Sequence, residues 1–142
     1  MGFVKKLAAT ALLAASLLVT GCGQGQIGSV DVGKVMAEAP RVKTLMTEAE
    51  AKIKEAQDKY QQDYGDKELT EEESAKAQLE FQRKLEAINT GYASQIRSRM
   101  DVVIEEISRE KNLDVVLSNS EEDKMIFHGA IDVTDDVIKK MQ

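Results

Sequence analysis

Apolar positions between Arg41 and Lys111 recur at helical spacing in two runs, interrupted once near Gly65. In the first run, Val42, Met46, Ala49, Ile53, Ala56 and Tyr60 alternate steps of four and three, the a/d seam of a coiled coil rather than the broader stripe of a globular helix. In the second, Phe81, Leu85, Ile88, Tyr92, Ile96, Met100, Val103 and Ile107 keep the same character. Their steps average closer to an eleven-residue repeat, which favours a straight or slightly right-handed coil.

The interruption carries stop and start signals. Gly65 follows Tyr64 where a helix would end on a left-handed residue. Thr70 to Glu73 reads as a capping box, with Thr70 as N-cap and Glu73 at the third helical position. A connection of about five residues folds two long helices back antiparallel. The arms are about 25 and 40 residues, or roughly 38 and 60 Å. The pattern predicts a helical hairpin over 40–111 with its tip at 65–70.

The flanks are of another kind. Ile27 to Val32 reads as a strand ended by Gly33, Lys34 to Glu38 as one helical turn, and Pro40 as the first residue of the first arm. Asn112 suits a left-handed helix end. Asp114 to Leu117 reads as a buried strand, Ser118 to Lys124 as a turn, and Met125 to His128 as another strand before Gly129. Thr134 is placed to cap a last short helix, with Val133 and Ile138 as its hydrophobic staple. The fold class is α+β: a long hairpin projecting from a small body made of 27–39 and 112–142.

So few short elements bury little apolar surface in one chain. Several chains pooling strands into one closed β-barrel would resolve this, which predicts a homo-oligomer. Val30, Val32, Val115, Val116, Leu117, Ile126 and Phe127 are the candidate oligomer-body residues.

The N-terminus stands outside this pattern. Lys5 and Lys6 precede an apolar run, Leu7 to Val19, too short to span a bilayer, followed by Val19-Thr20-Gly21-Cys22. That ending resembles the bacterial lipobox, in which cleavage before the Cys leaves it as the site of a diacylglyceryl thioether. Residues 1–21 are then a signal peptide, Cys22 the lipidation site and 22–26 a tether. The alternatives are an ordinary secretory signal with an incidental Cys, or an uncleaved anchor. Gly23 lacks the Asp that retains proteobacterial lipoproteins at the inner membrane, which points to the outer one. As the only Cys, Cys22 makes no internal disulfide. Removing 1–21 leaves 17 basic against 25 acidic side chains, a net charge of −8, so the chain offers no basic footprint for nucleic acid.

Catalytic patterns are missing: no nucleophile elbow, phosphate loop or metal-ligand spacing occurs, and no enzyme activity or cofactor is expected. His128 is the sole histidine and reads as structural or exposed. Glu71, Glu72 and Glu73 point in different directions and suit a helix start. Tyr60 and Tyr92 continue the seams; Tyr64 and Leu69, near the tip, are the candidate client contacts. Gly91, mid-helix, marks either a close helix approach or a flex point.

The opening strand and turn (Ile27 to Val32, with Lys34-Val35), the charged hairpin, Leu113 to Leu117 and Ile131 to Ile138 together resemble the OmpH/Skp family of periplasmic chaperones, across nearly all of 27–142. The resemblance implies a jellyfish-shaped homotrimer. Its strands would form a barrel body and its three hairpins would surround unfolded outer-membrane proteins, without ATP or metal. The expected function is a holdase of the cell envelope, on the periplasmic face of a membrane. The competing reading is a structural or adaptor coiled coil of an envelope complex. The chain departs from the basic, soluble members of the family: nine acidic and three basic residues lie between Glu55 and Glu80.

Overall fold

The computed structural model describes residues 25–122, 124–126 and 128–142. The proposed signal peptide, Cys22 and Phe127 lie outside the described residues. The elements, in order, are β1 (Ile27–Val30), α1 (Val32–Glu38), α2 (Pro40–Tyr64), α3 (Glu71–Lys111), β2 (Val115–Ser118), β3 (Ile131–Asp132) and α4 (Thr134–Lys140).

The hairpin follows its local signals. Pro40 opens α2, and the Thr70 hydroxyl accepts from the Glu73 backbone N–H while the Glu73 carboxylate accepts from the Thr70 N–H. Asn112 closes α3 in the left-handed region, at φ 53°. The α3 seam from Phe81 to Ile107 is buried or half-buried throughout. In α2 one seam position changes: Leu45 is buried at 2 % exposure, whereas Met46 is 48 % exposed. Steps of three and then four, Val42–Leu45–Ala49, keep the stripe aimed at the body core as α2 leaves it. Gly65 is right-handed (φ −59°), not left-handed. What it provides is space, since a Cβ there would sit 2.5 Å from the Gln61 carbonyl oxygen. Among the described residues no neighbour comes within 4 Å of a Cβ at Gly91, so α2 makes no close approach there within the chain.

The three strands form a parallel sheet in the order β2-β1-β3, an open sheet within the single chain. Val32 belongs to α1 rather than to a strand, because the Asp31 side chain caps that helix by accepting from the Lys34 N–H. Met125 and Ile126, expected to begin a strand, are not strand residues. Asn119 occupies the backbone of Ile126 from both sides, accepting its N–H at 2.8 Å and donating to its carbonyl at 3.2 Å. Side-chain pairing thus replaces a ladder, and the third strand is Ile131–Asp132. Thr134 begins α4 instead of capping it; the cap position is Val133.

The core is continuous from sheet to hairpin base. Val30, Val35, Val42, Leu45, Val103 and Ile107 meet Val133, Val137 and Met141 of the C-terminal segment. That segment works as a strap: Arg41 N–H donates to the Met141 carbonyl at 3.0 Å, and Lys111–Asp136 (3.1 Å) and Lys140–Glu106 (3.6 Å) hold α4 along α3.

Candidate functional site

Among the described residues, two apolar features are left uncovered. The first is near the tip. Ala56 and Ala77, both 3 % exposed, are small enough to bring α2 and α3 close, and aromatic rings cluster beside them. Tyr60 lies 4.6 Å from Phe81 and 5.3 Å from Tyr64 between ring centroids, both tilted, within the range of favourable ring pairs. Lys67 Nζ stands 5.8 Å from the Tyr64 ring. Ala56, Tyr60, Tyr64, Ala77 and Phe81, rimmed by Lys59, Asp63, Glu80 and Lys84, line an open cleft of about 260 Å³. Tyr64 is therefore a half-buried member of an aromatic cluster, not an isolated tip residue. Leu69 is half-buried in the tip connection but does not line the cleft.

The acidic surroundings are mostly solvated. Lys52 beside Glu55, at 2.8 Å, holds that carboxyl below its usual range. The Thr70 backbone N–H and then its hydroxyl do the same for Glu73, so these groups stay ionised at neutral pH.

The second feature is the outer face of the sheet. Strand alternation places Ile27, Val115 and Leu117 on one face, 41 %, 42 % and 37 % exposed, and turns Val30 and Val116 the other way onto the core. Gly28 on the inner face makes room for the Leu113 and Val116 side chains, which a Cβ would meet at 2.8 and 3.0 Å. Of the candidate body residues, Val115 and Leu117 face out, Val30 and Val116 face in, Val32 sits on α1, and Ile126 is half-buried in the connection to β3. Sequence reasoning missed Ile27; Ile131, 40 % exposed on edge strand β3, registers with Gly28 and so lies on the opposite face of the sheet. The alternation of Ile27 against Gly28 was the available signal for Ile27. Tyr60 and Phe81 read as seam residues, and their cleft became visible only once the arms were paired.

Among the described residues no three His, Cys, Asp or Glu side chains converge to hold a metal ion, and no helix is long and apolar enough to cross a membrane. A family profile described as outer membrane protein (OmpH-like) matches residues 26–141. The chain belongs to the OmpH-like family. That match covers the sheet, the hairpin and the C-terminal strap together. OmpH-like proteins are associated with chaperone function in the periplasm, where they bind unfolded outer-membrane proteins and oligomerise. No individual curated protein matches the chain.

Proposed function

We propose that this protein is a lipid-anchored holdase of the cell envelope, which keeps unfolded outer-membrane proteins soluble without nucleotide. Family membership over residues 26–141 carries the reading. Three copies would close their sheets into a barrel. Among the described residues β2 and β3 are the edge strands of the sheet, and Ile27, Val115 and Leu117 are the apolar surface such closure would cover. The hairpins then enclose a space, and the Tyr60–Tyr64–Phe81 cleft accepts apolar side chains of the client. Cys22 holds the lipid, residues 1–21 having been removed as a signal peptide, and the outer membrane is the proposed location.

The test uses a soluble form beginning at residue 22 with Cys22→Ser. Sedimentation should return the mass of three chains, and the trimer should suppress aggregation of a barrel protein diluted from urea. A stable monomer, or a trimer without effect on aggregation, defeats the holdase reading.

One observation favours a second reading, an adaptor coiled coil: the acidic excess between Glu55 and Glu80 is a surface suited to one basic folded partner. Photo-crosslinking from the tip in cells separates the two. Many unfolded clients support the holdase, and a single folded partner supports the adaptor.

A further inference from the structure

The start of the fold is fastened to the end of α3. Gln26 N–H donates to Asp114 Oδ2 at 2.7 Å, and Asp114 N–H returns to the Gln26 carbonyl at 2.9 Å. Pairing of Ile27 with Val115 continues the clasp into the sheet. Asp114 follows the last residue of α3, Lys111, by three positions, and the hairpin tip lies at the opposite end of that 41-residue helix. Clasp and tip are therefore about 60 Å apart.

Residues 22–26 span at most about 17 Å, whatever their conformation. A lipid on Cys22 accordingly holds the clasp end of the molecule near the bilayer. The arm could then stand away from the membrane or lie along it. Lying flat calls for an apolar face with a basic rim. The arms bury their apolar stripe between themselves, and their outer half carries nine acidic residues against three basic ones from Glu55 to Glu80. Anionic headgroups repel such a surface.

We propose that the anchored protein stands upright, its clasp end against the lipid headgroups and its hairpin tip directed away from the anchoring membrane. The space between the hairpins then opens about 60 Å from the bilayer surface, and clients enter from the aqueous side. This rests on the lipidation reading given above.

The test uses the full chain, processed in a lipoprotein-competent host and reconstituted in phosphatidylethanolamine–phosphatidylglycerol vesicles. Once Cys22 is acylated, Asp66→Cys at the tip or Arg109→Cys near the clasp provides one free thiol for a donor dye. Flotation comes first: protein left at the bottom of the gradient overturns the anchor and the orientation together. For floating protein, a headgroup acceptor dye should shorten the donor lifetime strongly at position 109 and leave it nearly unchanged at position 66. Equal shortening at both positions, or stronger shortening at 66, overturns the upright orientation and leaves the anchor standing.

Discussion

The Thr134 hydroxyl accepts the Asp31 backbone N–H at 2.9 Å and donates to Asp132 Oδ1 at 2.6 Å, linking the end of the opening strand to the start of the closing helix. Thr134 is 3 % exposed, so neither partner is easily replaced by water. Thr134→Val keeps the shape and leaves the Asp31 N–H unpaired. Urea melts at fixed protein concentration should show a loss of about 1–3 kcal/mol. Thr134→Ser should retain most of the stability; equal losses in both variants would show that packing of the methyl group matters more than the hydrogen bond.

The same contact gives a sign for acid sensitivity. Donation from the Thr134 hydroxyl, and then from its backbone N–H, holds the Asp132 carboxyl below its usual range. A depressed carboxylate contributes stability that is present above its unfolded value and is lost as pH falls through the folded one. The base should loosen as the pH drops through and below the ordinary carboxylate range. Asp132→Asn, which still offers an acceptor, should flatten that limb in thermal melts taken from neutral to acid pH.

Val115 and Val116 should respond differently to one substitution. Val116 packs on the core and Val115 faces out. Val116→Asp sets an unpaired carboxylate at a half-buried position against the core, costs on the order of 2–3 kcal/mol and loosens the base of each chain. Val115→Asp should leave the chain folded and dissociate the proposed trimer, seen as a loss of mass in sedimentation with little change in circular dichroism. A trimer that survives Val115→Asp would mean that the outer sheet face is not the assembly surface.

At the tip, Phe81→Ala removes a partly buried ring from Tyr60. The expected cost is about 2 kcal/mol, less than for a fully buried Phe. Hydrogen exchange should show faster opening confined to the tip half of the hairpin.

Gly91 lies inside α3 with open space where a Cβ would go. Gly91→Ala should therefore stabilise the chain by about 0.5–1 kcal/mol. If aggregation suppression falls in this stabilised variant, Gly91 acts as a flex point of the arm; unchanged activity assigns it no such role.

The sequence by itself determined the hairpin, and for a local reason. The Thr70–Glu73 capping box, the left-handed end at Asn112 and the α3 seam from Phe81 to Ile107 depend on residues a few positions apart, whose geometry is set by the helix. Tertiary structure decided what depends on distant partners. Ile27 meets Val115 across 88 positions in a parallel ladder, an arrangement that neither segment specifies alone. Ile126 was drawn out of strand geometry by the Asn119 side chain, leaving the edge to Ile131 and Asp132. Leu45 replaced Met46 in the seam because the body core set the rotation of α2 at its base. Alternation guarantees that Val115 and Val116 point opposite ways, but only the helices packed against one face of the sheet select Val116 for the interior and leave Ile27, Val115 and Leu117 exposed.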